Sequence, residues 1–177
     1  MINRRGFLGR TGWLCAAMVT GNRAVSAAAV NSKSLSFVHT HTGEKLDAVY
    51  WRNGEYQPDV LQQVNHLLRD FRTNEVHAID PALLDVLFDL RTQAGSDRAF
   101  HVISAYRSPQ TNEMLRRSST GVAERSMHML GKAIDVRLES FPTARLAEVA
   151  RSLRRGGVGY YPASDFVHVD TGRVRYW

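Results

Sequence analysis

Apolar residues change their spacing several times along the chain, and each spacing predicts an element. Leu35–Val38 and Lys45–Trp51 read as short strands, the second followed by the turn pair Asn53-Gly54, so a small hairpin is expected near the start. From Pro58 the period lengthens, and Val60, Val64, Leu67, Leu68 and Phe71 fall on one face of a helix. Asp80-Pro81 opens a second helix, with Leu83, Leu84, Leu87, Phe88 and Leu90 on its apolar face and Gly95 at its end. These two helices are expected to pack together as core. Phe100–Ser104 then reads as a strand, Pro109–Arg117 as a helix, 118–125 as a polar loop containing Gly121, Lys132–Leu138 as a strand and Pro142–Arg155 as a helix. The last stretch passes through Gly156, Gly157, Gly159 and Gly172 and predicts a β-hairpin or meander. Helices first and later strands in an antiparallel arrangement predict an α+β fold, with helices packed on a mainly antiparallel sheet.

Neither period governs the first residues. Asn3-Arg4-Arg5-Gly6-Phe7-Leu8 is a twin-arginine pattern; a moderately apolar stretch from Trp13 to Val19 follows, then the small residues Ala24-Val25-Ser26-Ala27-Ala28-Ala29. A basic start, a short apolar middle and a small-residue end predict a twin-arginine signal peptide over 1–29, cleaved after Ala27 or Ala29, and one domain over 30–177. The apolar stretch is far below the ~20 residues that span a bilayer, so the processed chain is expected to have no stable membrane span and to reside in the periplasm. This segment also accounts for most of the charge. It holds Arg4, Arg5, Arg10 and Arg23 and no acid, so removing those four cations from the net +6 leaves +2. Such a balance argues against nucleic acid as a partner, because phosphate-tracking proteins concentrate Lys and Arg on one face. The single cysteine, Cys15, lies in the same segment, so disulfides play no part in the predicted domain.

Chemistry concentrates in two short stretches. Ser126-Met127-His128-Met129-Leu130-Gly131-Lys132-Ala133-Ile134-Asp135 places a His and an Asp seven apart, with Gly131 letting the chain turn between them. Farther on, Phe166-Val167-His168-Val169-Asp170 sets a His in a short apolar strand. Alternation puts Asp135 on the face opposite Ile134, Val136 and Leu138, and puts Phe166, His168 and Asp170 on the face opposite Val167 and Val169. Imidazole and carboxylate suit zinc, and a catalytic site takes three protein ligands so that a fourth position stays open. His128, Asp135 and His168 give that count, although a lone strand His is more often structural. His39 and His41 form an i, i+2 pair without a nearby third donor; with His66, His77 and His101 they are read as non-ligands. Tyr160 and Tyr161 are compatible with a groove wall or with packing at a strand end.

The pattern Ser-x-His-x-x-Gly-x-Ala-x-Asp over 126–135, with Gly157-Val158-Gly159-Tyr160-Tyr161-Pro162, Phe166-Val167-His168-Val169-Asp170-Thr171-Gly172 and Ser104-Ala105-Tyr106-Arg107-Ser108, resembles the murein endopeptidase branch of the D-Ala-D-Ala carboxypeptidase-like zinc peptidases. The resemblance runs from about residue 35 to Trp177. It implies Zn2+ held by His128, Asp135 and His168, no organic cofactor, and Arg107 as an anchor for a substrate carboxylate or for the oxyanion. It implies a carboxylate base as well, at Asp165, three residues before the last His, or at Asp170, which shares a strand face with His168 and has a turn-capping role as its alternative. Ser126 is expected to shape the ligand loop or to be a plain loop residue. The implied substrate is the peptide stem of peptidoglycan, cut between two diaminopimelate residues or between D-Ala and diaminopimelate. A D-Ala carboxypeptidase and a non-catalytic wall-binding module are the rival readings.

Overall fold

In the computed structural model, which describes residues 31–119 and 121–177, these spacings become eight strands and four helices. In chain order they are β1 (Ser32–His39), β2 (Lys45–Arg52), β3 (Glu55–Tyr56), α1 (Pro58–Leu67), α2 (Pro81–Gln93), β4 (Phe100–Ser104), α3 (Pro109–Ser118), β5 (Ala133–Leu138), α4 (Thr143–Leu153), β6 (Gly157–Tyr161), β7 (Phe166–Asp170) and β8 (Arg175–Tyr176). A single 3-10 turn, Met127–Leu130, precedes β5. The expected signal peptide lies outside the described residues.

All eight strands join one sheet in the order β3-β2-β1-β4-β5-β7-β6-β8, so the fold is α+β. Most neighbours are antiparallel, but β1 runs parallel to β4 and β6 runs parallel to β8. The early hairpin is therefore no separate feature: α1 and α2 carry the chain back across so that β4 can pair beside β1 in the same direction. The C-terminal stretch forms the expected hairpin from β6 and β7, but β8 does not continue it as a meander. Both edges of β7 are already taken by β5 and β6, which leaves the outer edge of β6 as the place for β8.

Helix starts follow the sequence more closely than helix ends. Asp80 caps α2 by accepting from the Ala82 N–H, and Ser108 caps α3 by accepting from Thr111 N–H. Helix α1 stops at Leu67, short of Phe71, because the Leu68 carbonyl turns to accept the Tyr106 N–H and the Asp70 carboxylate is taken by the backbone and hydroxyl of Ser108. Phe71 stacks on His41 instead, with ring centroids 4.2 Å apart.

A single core joins Leu35 and Phe37 of β1, Leu83, Leu84 and Leu87 of α2, and Leu146 of α4 to Ile134, Val136, Val167 and Val169 of the central strands. Fully burying side chains of this size contributes roughly 1.5–3 kcal/mol each. With the aliphatic residues of β5 and β7 committed to that core, strand alternation leaves the other face of both strands to Asp135, His168 and Asp170.

Candidate metal centre

Backbone register builds the site. Ser104 of β4 pairs with Asp135 of β5, Asp135 with His168 of β7, and His168 with Gly159 of β6, so one row crosses four adjacent strands on the face away from the aliphatic core. His128 enters from the 3-10 turn before β5. That turn is started by Ser126, whose hydroxyl accepts from the His128 N–H, and is ended by Gly131 at φ 64°. A Cβ on Gly131 would stand 2.2 Å from the Ala78 carbonyl oxygen, so the chain can turn into β5 here only with glycine.

The three predicted donors converge. His128 Nε2 lies 3.2 Å from His168 Nδ1 and 3.4 Å from Asp135 Oδ1, and His168 Nδ1 lies 2.9 Å from Asp135 Oδ1. All three side chains are buried. The far nitrogens decide what the near ones present. His128 Nδ1 donates to the Ala105 carbonyl at 2.6 Å, so its Nε2 carries a lone pair. His168 Nε2 donates to Asp170 Oδ2 at 2.9 Å, leaving Nδ1 to face His128 and Asp135. Two ring nitrogens and a carboxylate oxygen thus aim at one point. Donors held at about 2.0–2.2 Å by a tetrahedral ion stand roughly 3.3–3.6 Å apart, within a few tenths of an ångström of this triangle, so the residues fit a zinc-sized cation.

The three groups are also strongly coupled through their charges. Burial would raise the Asp135 carboxyl, but the adjacent His128 and then His168 outweigh it and hold that group well below the usual carboxylate range. Burial would lower His168, yet its hydrogen bonds to Asp135 and Asp170 raise it. Arg107 stands beside the triad with Nη2 3.8 Å from Asp135 Oδ2, Nη1 donating to Asn112, and Nε without a partner. Its backbone N–H donates to the His128 carbonyl, and its neighbour Ala105 orients the His128 ring, so the 105–108 segment positions two functional groups at once. The triad and Arg107 line a cleft of about 490 Å³ with Arg125, Tyr161 and Trp177.

The two predicted bases sit elsewhere. Asp170 is fully buried behind the His168 ring; its carboxylate also accepts from the Arg175 guanidinium and the Gly157 and Gly172 N–H groups, so it both orients the imidazole and caps the turn. Asp165 accepts from the Thr143 hydroxyl, lies 3.5 Å from Arg137 Nε, and does not line the cleft. Tyr161 reaches the cleft, whereas Tyr160, one residue earlier on the strand, packs against the core. The sequence reading missed the Ala105 carbonyl, Arg175 and Trp177. A backbone carbonyl leaves no signal in a sequence, and Arg175 and Trp177 reach the site only because β8 crosses to the edge of β6.

The profile of the family described as peptidoglycan L,D-endopeptidase MepK matches residues 27–177. The chain is 46% identical over 144 residues to the probable peptidoglycan L,D-endopeptidase MepK of Haemophilus influenzae, covering 81% of this chain and 77% of that one. It is 38% identical over 176 residues to the peptidoglycan L,D-endopeptidase MepK of Escherichia coli K12, covering 99% and 97%. Fold, donor set and sequence match define a peptidase of the murein endopeptidase branch. Within that branch, the chain belongs to the peptidoglycan L,D-endopeptidase MepK family.

Proposed function

We propose that this chain is a zinc-dependent murein endopeptidase of the periplasm that hydrolyses peptide cross-links between peptidoglycan stems. The observation that carries the reading is the convergence of His128, Asp135 and His168 on one point at the floor of an open cleft, in a chain of this family. Of the two cross-links considered, the relatives' names favour the one between two diaminopimelate residues. There the carbonyl of an L-centre acylates the amine of a D-centre, whereas a D-Ala–diaminopimelate link joins two D-centres. The twin-arginine pattern at Arg4-Arg5 supports export as a folded protein, and no helix among the described residues is long and apolar enough to cross a membrane.

In this reading His128 Nε2, Asp135 Oδ1 and His168 Nδ1 hold the ion. When bound, zinc supplies Lewis acidity that polarises the scissile carbonyl and makes a water molecule acidic near neutral pH. Arg107 holds a substrate carboxylate or the oxygen that gains charge as the amide is attacked; its unpartnered Nε–H and its place on the cleft wall suit either task. Asp170 keeps the His168 proton on Nε2 and so keeps Nδ1 free for the ion; it is a positioning residue. Asp165 belongs to the turn between β6 and β7 and takes no part in the reaction.

Mass analysis of purified cross-linked muropeptides tests the proposal. Dimers should become monomers, a chelator should stop the reaction, and added zinc should restore it. Removal of terminal D-Ala alone would identify a carboxypeptidase, and binding without any cleavage would identify a wall-binding module.

A further inference from the structure

The row Ser104, Asp135, His168, Gly159 carries side chains on its first three members and none on the fourth. The vacated place is filled from another strand. A Cβ on Gly159 would stand 2.5 Å from Cε2 and 2.6 Å from Nε1 of Trp177, so the indole lies where a β6 side chain would otherwise project, its centroid 5.2 Å from that of His168. Trp177 is held from several directions. Its Nε1–H donates to the Tyr161 hydroxyl at 2.8 Å, its backbone N–H donates to Val158, its carbonyl accepts from Tyr160, and the Arg175 guanidinium lies 5.1 Å from its ring. Tyr161 is stacked in turn on Phe166 with centroids 4.6 Å apart.

Despite these restraints Trp177 remains 46% exposed, and what it exposes lines the cleft. An indole kept rigid yet half in water forfeits hydrophobic stabilisation that burial would supply. Rigid aromatic faces in a concave site are suited to receiving a ligand, because they offer apolar area without further loss of side-chain freedom. Strand order sets the direction: Arg107 follows β4 on one flank of Asp135 and His168, and Trp177 follows β8 on the other.

We propose that Trp177, braced by Tyr161, is a substrate-binding platform that receives the apolar methylene chain and amide plane of the peptide stem on the flank away from Arg107. This deepens the endopeptidase reading and rests on it. The two sides of the scissile bond are then recognised by different chemistry, charge on the Arg107 flank and apolar stacking on the Trp177 flank.

Steady-state kinetics on a diaminopimelate-linked dimer, with bound zinc measured on the same samples, test the platform. Trp177→Ala should raise KM about tenfold while kcat stays within about threefold and zinc content is unchanged. Trp177→Phe and Tyr161→Phe should each raise KM about threefold. A fall in kcat or in bound zinc at constant KM would overturn the platform and make Trp177 a support for His168. Calorimetric binding of uncleaved stem peptide to the wild type and to Trp177→Phe, which keeps an aromatic ring in place, gives a readout independent of turnover. Equal affinities would overturn the platform, whereas wild-type binding with no cleavage of any cross-link would overturn only the endopeptidase reading.

Discussion

Two carboxylate clusters, one half-buried and one buried, pack on the same sheet, and they differ in what their acceptors meet. At one end, Asp85 of α2 accepts from Lys33 Nζ at 2.7 Å, from the Tyr50 hydroxyl at 3.0 Å and from the Tyr56 hydroxyl at 2.6 Å. The two phenol protons are firmly held. Burial and then Asp85 raise the Tyr50 phenol, and the hydrogen bond to Asp85 pushes Tyr56 up to about 12. Every acceptor there has a donor, so the cluster is closed and fastens α2 to the β1–β3 edge. At the other end, the outer nitrogens of His128 and His168 give their protons to Ala105 and Asp170, and the inner ones face each other and Asp135. In the reading proposed above, that cluster is completed by a cation. On the proposed function the difference separates a joint from a reactive centre, although both are made of carboxylates and neighbouring donors.

Removal of a converging donor should have the largest effect. His128→Ala should abolish both bound zinc, read by elemental analysis, and conversion of muropeptide dimers to monomers, leaving each below detection. Retained hydrolysis in the zinc-free variant would show that the open cluster is not the reactive one. Asp170→Asn acts one step farther out. It removes the carboxylate that fixes the His168 tautomer, so zinc affinity in a chelator competition should fall roughly 10–100-fold, with activity returning as zinc is added. Activity that stays lost at saturating zinc would mean that Asp170 does more than orient the ring.

The same contrast explains what could be read in the sequence. Asp135 and His168 were legible because each stands in a strand whose alternate residues are Ile, Val and Leu, so their face was determined before any pairing was known. His128 was legible through Gly131, whose φ of 64° marks the turn that brings it under β5. The role of Asp170 was half legible: a shared face with His168 is a matter of spacing, but which nitrogen of the ring it meets depends on the side-chain geometry. Asp165 shows the limit of spacing, since its φ of 52°, its hydrogen bond from Thr143 and its ion pair with Arg137 turn it out of the cleft that a count of three residues suggested. The Asp85 cluster was not legible at all. Lys33, Tyr50 and Tyr56 come from three strands and meet a helix residue only after β1, β2 and β3 pair and α2 packs across them.

Opening the closed cluster sharpens the comparison with a smaller effect of a different kind. Asp85→Ala removes the acceptor of Lys33 and leaves the Tyr50 hydroxyl only the longer bond to the Leu84 carbonyl, and should cost about 1 kcal/mol in denaturant unfolding, with kcat and zinc content unchanged. A loss of zinc in this variant would mean that the two clusters are coupled through the sheet.

The smallest effect is the pH dependence of that stabilisation, and its sign follows from the donors. Burial would raise the Asp85 carboxyl, but the hydrogen bonds from Lys33, Tyr56 and Tyr50 outweigh it and hold it below its ordinary value. The unfolded chain, with an Asp near 3.9, therefore takes up this proton more readily than the folded one. A depressed folded value means that the contribution is fully present above about pH 4 and is lost as pH falls through the folded value. Comparing wild type with Asp85→Asn in the presence of chelator removes the metal centre from the difference. The gap in unfolding free energy should be level from about pH 5 to pH 8 and should narrow as the solution is taken below about pH 4. A gap that stays level into the acid range would mean that the folded protein does not favour the charged form of Asp85, and the closed cluster would then be held by packing rather than by its three donors.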